Sequence, residues 1–258
     1  MRLALAGGGT AGHISPGLAV IARLRREKKL SDALFISIRR SGIDPRVKYP
    51  AIRWLLISAA ATPRRPWGWP AMAGKNLAGF RRSWRALRKF KPDLLLGLGG
   101  FVSVPPLLAA RTLSIPVVLY EQNTVLGRAN RLFRKSAARI LAGFPLEEVD
   151  SGSAVLTGNP VAPGARQSSP PENFRGRDDQ GRLTVMVMGG SRGARFINRL
   201  MIAAAPLWER KKNDIRFIHL SGSADRELVE EAYRREGIRA EVFGFLKEMG
   251  WAYSRADI

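Results

Sequence analysis

The stretch Met1-Arg2-Leu3-Ala4-Leu5-Ala6-Gly7-Gly8-Gly9-Thr10-Ala11-Gly12-His13 decides the fold. Leu3 to Ala6 read as a short buried strand, and the glycines from Gly7 to Gly12 read as the turn that leaves it. Glycine lets backbone N–H groups approach an anion closely, and a helix that follows points its positive end at the same spot. The pattern recurs twice. Gly97-Leu98-Gly99-Gly100 follows Leu94-Leu95-Leu96, and Gly189-Gly190-Ser191-Arg192-Gly193 follows Val185-Met186-Val187-Met188. One such turn is a weak signal. Three of them, the last far along the chain, predict two nucleotide-type α/β domains around a phosphate-bearing ligand.

Outward from these turns the chain alternates strand and helix. Strand Leu3–Ala6 leads to a helix expected from about Pro16 to Lys29, with proline at its start. Strands are expected at Ala33–Ile38, Ile52–Ile57, Asp93–Leu98, Pro116–Tyr120, Arg139–Ala142 and Ala154–Thr157. Helices are expected at Lys75–Phe90, Val104–Thr112 and Leu126–Ser136. The proline-, serine- and charge-rich residues 161–182 read as a linker between a domain at 1–160 and a second at 183–258. In the second domain the rhythm restarts with strand Leu183–Met188, helix Ala194–Trp208, strand Ile215–Leu220, helix Ala224–Arg235 and strand Ala240–Phe243. Asp257-Ile258 reads as entry to another strand, so this domain is expected to be incomplete at its C-terminus.

Composition narrows the chemistry. There are no cysteines, and His13 and His219 are the only histidines, so disulfides, thiolate metal sites and histidine-rich metal sites are excluded. No basic segment precedes a long apolar run at the N-terminus, and no run approaches the ~18 apolar residues of a membrane-spanning helix. A cytoplasmic protein is the expectation. Forty-three basic against 21 acidic residues give a net charge of +22, which calls for a polyanionic partner or surface. Nucleic acid, an anionic membrane and diphosphate ligands all qualify.

With the motifs laid out, the chain resembles the MurG family of peptidoglycan glycosyltransferases. The matching segments are Gly8-Gly9-Thr10-Ala11-Gly12-His13, Gly99-Gly100-Phe101-Val102-Ser103, Glu121-Gln122-Asn123, Gly158-Asn159-Pro160-Val161, Gly189 to Ala194, and Met249 to Asp257. They run in the family's order along the whole chain. The resemblance implies two Rossmann-like domains facing a cleft, the GT-B architecture, with the acceptor on the first domain and the donor on the second. It implies an inverting enzyme that moves N-acetylglucosamine from UDP-GlcNAc to the 4-hydroxyl of undecaprenyl-pyrophosphoryl-N-acetylmuramyl-pentapeptide. It implies no cofactor and no metal, and a peripheral position on the cytoplasmic face of the inner membrane. The chain departs from the family at Ala11 and Val104, where glycine is usual, at Tyr120, where histidine is usual, and at Ala162, where an arginine helps bind the nucleotide sugar. The family's Ser-Gly-Ala donor segment would begin beyond Ile258.

Gly7-x-Gly9-x-x-Gly12 also satisfies the dinucleotide fingerprint, but that reading wants an acidic residue at the end of the second strand. Arg39 and Arg40 stand there instead. The resemblance implies a different role for the first loop, in which backbone amides of Thr10, Ala11 and Gly12 cradle the acceptor's pyrophosphate at a helix N-terminus. His13 is the natural general base, because imidazole titrates near neutral pH. Glu121, the carboxylate of these turns, is a rival base, and a purely structural His13 is the plain alternative. Asn123 is expected to contact the reacting sugars or to cap the helix that follows. Ser191 is expected at the donor diphosphate or at a helix cap, and Leu246, with Phe245, at the uracil. His219 reads as structural.

Between Arg64 and Lys91, aromatics interleave with cations. Leu77, Phe80, Trp84 and Leu87 recur at helical spacing, and Trp67 and Trp69 precede them in a proline-rich loop. The stripe reads as core or as an interfacial membrane contact, and the two tryptophans favour the membrane. No RNA- or DNA-recognition motif accompanies it, so no nucleic-acid partner is expected. Two other classes stay open: a transferase with another lipid or sugar acceptor, and a non-catalytic binder of membrane or nucleic acid.

Overall fold

A computed structural model describes residues 1–8, 11–38, 51–63, 65–147, 154–161, 181–189, 194–246 and 249–258, with backbone alone for Ala11, Gly12 and Glu209. Two compact units divide the chain, Met1–Ala162 and Pro163–Ile258.

Unit 1 is built on a parallel seven-stranded sheet: β1 (Arg2–Ala6), β2 (Asp32–Ser37), β3 (Arg53–Leu56), β4 (Leu94–Gly97), β5 (Val117–Glu121), β6 (Arg139–Ala142) and β7 (Ala154–Leu156). Their spatial order is β3-β2-β1-β4-β5-β6-β7. This is the doubly wound order, and it reverses direction between β1 and β4. Strand alternation explains why helices cover both faces. Leu3 and Leu5 point to the side where Ile14, Leu18 and Ile21 of α1 (Ala11–Arg26) pack, together with Phe35 and Tyr120. Ala4 and Ala6 point the other way, toward Leu87 and Phe90 of α2 (Trp69–Phe90) and Leu107 of α3 (Val104–Thr112). A short α4 (Arg128–Phe133) follows β5 and buries Phe133 on that second side.

Two helix starts differ from the sequence reading. α1 begins at Ala11, so Pro16 sits inside the helix and forfeits one bond back to residue 12 rather than opening it. α2 begins at Trp69, with Pro70 in its first turn, after a 3-10 turn at Pro66–Gly68. Gly79 lets α2 lie against the chain after β3. A Cβ at that position would stand 2.1 Å from the Ser58 carbonyl oxygen.

Unit 2 carries a parallel three-stranded sheet, β8 (Leu183–Met188), β9 (Ile215–Leu220) and β10 (Arg239–Phe243), in the order β10-β9-β8. α5 (Arg195–Ala204) and α6 (Arg226–Arg235) pack on one face around Phe217, Val229 and Tyr233. The Phe217 and Tyr233 rings stack at 5.4 Å. α7 (Met249–Tyr253), which the sequence reading did not foresee as a helix, covers the other face around Ile218, Leu220 and Ala252. Beyond it, Asp257 N–H donates to the Thr184 carbonyl (2.8 Å) and the Ile258 carbonyl accepts from Met186 N–H (2.7 Å). Residues 257–258 therefore run along β8 on the side away from β9, as the next strand of a doubly wound sheet does. The expected linker falls largely in residues outside the described ones.

Candidate functional site

The turns after β1 and β4 flank the point where strand order reverses, which is where open α/β sheets bind ligands. His13 stands in the first turn of α1 and is half-buried. Its Cδ2–Nε2 edge lies over the second glycine turn. A Cβ on Gly99 or Gly100 would stand 3.6–3.7 Å from those two atoms, an ordinary contact. What demands glycine there is the backbone, with φ +80 at Gly99 and +75 at Gly100. The imidazole is thus seated on bare main chain at the carboxyl end of the sheet. Burial lowers its pKa from 6.5, and the Glu121 carboxylate opposes that shift.

Glu121 ends β5 with only 4% of its surface exposed. Its carboxylate accepts four hydrogen bonds from the segment that follows. Asn123 donates from its backbone N–H (3.2 Å) and Nδ2 (3.0 Å), Gly127 from its N–H (2.8 Å), and Asn130 from Nδ2 (2.9 Å). Asn130 Nδ2 also donates to the Tyr120 carbonyl at 3.0 Å. Glu121 therefore folds the 121–130 segment around itself, and Asn123, exposed at its tip, is held by the carboxylate rather than capping α4. Both oxygens of Glu121, the rival base of the sequence reading, thus face donors of its own loop. Asn130, 1% exposed, is a site-forming residue the sequence did not flag. The Tyr120 hydroxyl, pushed up to about 12 first by burial and then by the Glu121 charge, donates to Asn159 Oδ1. Tyr120 thereby ties the Glu-Gln-Asn segment to Gly-Asn-Pro. Gly143 leaves the room that the Asn159 amide occupies.

Other sequence expectations resolve unevenly. Thr10, Ser191 and Ala162 lie outside the described residues, and Ala11 and Gly12 form the start of α1. Leu246 packs into the small cluster beneath α7, whereas Phe245, 56% exposed, lines a hollow of about 360 Å³ with Ser223, Arg226, Glu227, Phe243 and Gly244. That hollow opens at the carboxyl ends of β9 and β10. In unit 1 a hollow of about 340 Å³ lined by Arg111, Ser114, Phe133 and Lys135 opens at the amino-terminal end of β5, away from His13. The aromatic stripe divides. Trp67, Trp69 and Leu77 are exposed, while Phe80 and Trp84 are half-buried against the core beside the fully buried Leu87. α2 buries Gly79, Ser83, Leu87 and Phe90, so positions 80 and 84 flank its inner face instead of forming an outer one. No described helix is long and apolar enough to cross a membrane, and no described cluster of His, Cys, Asp or Glu could hold a metal.

Two parallel α/β units, the first with glycine turns where its strand order reverses, define a Rossmann-type protein, and comparison with known proteins narrows the class. Residues 3–142 match the glycosyltransferase family 28 N-terminal domain, and residues 184–258 its C-terminal domain. A Pelobacter propionicus protein is 37% identical over the whole chain, which spans 73% of it; a Coxiella burnetii protein is 33% identical, with 71% of it spanned. Both are UDP-N-acetylglucosamine–N-acetylmuramyl-(pentapeptide) pyrophosphoryl-undecaprenol N-acetylglucosamine transferases. The crystal structure of Acinetobacter baumannii MurG superposes with a TM-score of 0.69 at 25% identity, covering 99% of this chain and 69% of that one. A Neisseria meningitidis UDP-GlcNAc 2-epimerase shares the fold, with a TM-score of 0.64 at 15% identity. The chain belongs to glycosyltransferase family 28, as a member of its MurG branch.

Proposed function

We propose that the protein transfers N-acetylglucosamine from UDP-GlcNAc to the 4-hydroxyl of undecaprenyl-pyrophosphoryl-N-acetylmuramyl-pentapeptide, converting lipid I to lipid II in peptidoglycan synthesis. Whole-chain identity to transferases of that name supports the reading most directly. The acceptor oxygen attacks C1 of the donor sugar as the C1–O bond to UDP breaks. The leaving diphosphate takes the electron pair, and the anomeric centre inverts to a β-1,4 bond.

In this reading His13 takes the proton of the attacking hydroxyl. Burial keeps the ring neutral at physiological pH, the form that accepts a proton, and the nearby Glu121 charge stabilises the imidazolium that forms. The 121–130 segment, folded on Glu121, shapes the acceptor side. Donor charge is met by backbone amides and helix N-termini of unit 2. Trp67, Trp69 and Leu77 seat the protein on an anionic bilayer, where the acceptor's undecaprenyl chain resides, with the surrounding cations adding ~1 kcal/mol each.

The test is the His13→Ala variant assayed with both substrates. Turnover is expected to fall by about 100-fold or more with an unchanged melting curve. In the wild type, kcat/KM is expected to be flat above pH 6.5 and to fall below it, because the imidazole pKa is lowered from that value and only the neutral ring accepts a proton. Near-wild-type turnover in the variant removes His13 from the mechanism.

A further inference from the structure

Unit 2 buries a line of polar side chains where apolar ones would pack without a desolvation cost. Tyr233 of α6 is 2% exposed, His219 of β9 is 0% and Asn198 of α5 is 2%. The Tyr233 hydroxyl lies 2.9 Å from His219 Nδ1, and His219 Nε2 lies 3.1 Å from Asn198 Oδ1. Asn198 Nδ2 then donates to the Ser221 carbonyl and to Asp225 Oδ2, both at 2.8 Å.

The direction of this relay follows from its far end. Both donations by Asn198 come from Nδ2, so Oδ1 can only accept, and Nε2 of His219 must carry the proton. Nδ1 is then the lone-pair nitrogen and accepts from the Tyr233 hydroxyl. Each member is satisfied in one sense only, from α6 through β9 to α5.

What the relay grips is the segment that walls the hollow at the carboxyl ends of β9 and β10. Asp225 flanks the start of α6 yet makes no side-chain cap bond to that helix, because Asn198 holds its carboxylate. Ser221 N–H is bonded to the Phe243 carbonyl at 3.0 Å, joining the gripped segment to the last residue of β10. A Cβ on Gly244 would meet Ser223 Cα at 3.1 Å, so the two segments lie in close contact.

We propose that His219, acting through Asn198, is a positioning residue for the nucleotide-sugar site: it fixes the 221–225 segment and with it the hollow lined by Ser223, Arg226 and Phe245. The assignment rests on the reading that unit 2 binds the donor. His219 contacts no substrate and exchanges no proton in the reaction; its N–H orients one amide, and that amide orients the wall.

The 258-residue chain tests this directly. In 15N-histidine NMR spectra, His219 is expected as the Nε2–H tautomer with no titration above pH ~5, as befits a fully buried imidazole. The Nδ1–H tautomer would overturn the proposal. Two variants carry it further. His219→Leu leaves the Asn198 oxygen buried without a donor, and is expected to raise amide exchange in segments 221–227 and 243–246 while sparing β8 and α7. UDP affinity, read by calorimetry, is expected to weaken about tenfold, because a loosened wall must be ordered again when the nucleotide binds. His219→Gln, which returns an N–H to Asn198, is expected to recover most of both. Exchange that rises evenly across unit 2, or a glutamine no better than leucine, would refute the positioning role. If the wild type fails to bind UDP, the donor reading falls, while the tautomer and exchange measurements still decide whether the relay sets the wall.

Discussion

His219 and His13 are both imidazoles with lowered pKa values, yet they face opposite requirements. His13 is half-buried on a bare glycine turn beside a carboxylate, an environment that keeps the ring neutral and lets it gain a proton. His219 is fully enclosed, its pKa lowered to about 4 by burial. The consequence for stability has a definite sign. Between pH 6.5 and about 4 the unfolded chain binds a proton at residue 219 that the folded chain excludes, so unfolding takes up a proton and acid favours it. Stability measured by urea titration is therefore expected to hold above pH 6.5 and to decline as the pH falls toward 4. In His219→Gln that part of the decline is expected to vanish. An unaltered pH profile in the variant would show that residue 219 takes no proton on unfolding.

At the scale of elements, α2 is the exacting piece. Its inner face carries glycine and serine where it meets the chain after β3 and α3, and close approach rather than bulky packing defines the contact. Gly79→Ala would place a methyl group 2.1 Å from the Ser58 carbonyl, a fixed backbone atom. The helix must shift, at an expected cost of about 1–3 kcal/mol in a melting experiment despite alanine's better helix propensity. The strands were legible in sequence because each is a short apolar run ended by glycine or a polar turn, and a parallel sheet buried on both faces needs nothing else. Helix starts were less legible. Pro16 looked like an N1 residue but lies inside α1, and Pro70, the true start signal of α2, was hidden among aromatics assigned to a loop. At the candidate site, His13, Glu121 and Asn123 were legible as residue types at strand-end turns. The way Glu121 is held was not, because it depends on four donors converging from up to nine residues away, and no local pattern encodes that convergence.

For the whole molecule, charge and aromatic exposure act together. In the proposed membrane contact, a net charge of +22 favours an anionic surface, and Trp67 and Trp69, 72% and 52% exposed, supply the apolar anchorage. The double variant Trp67→Ser with Trp69→Ser is expected to keep its melting temperature and to lose most of its binding to anionic vesicles in sedimentation assays at physiological salt. Unchanged vesicle binding would assign the attraction to charge alone. The all-parallel sheets carry another implication. No described strand in either unit pairs with its sequence neighbour through a hairpin, since every parallel neighbour is reached by a crossover. β1 needs both β2 and β4, the latter some ninety residues away, before both of its edges are covered. Pairings of such long reach form slowly. Throughout that wait the apolar strands of each nascent chain are open to those of another, and mutual repulsion between strongly cationic chains protects the folding protein from its own copies.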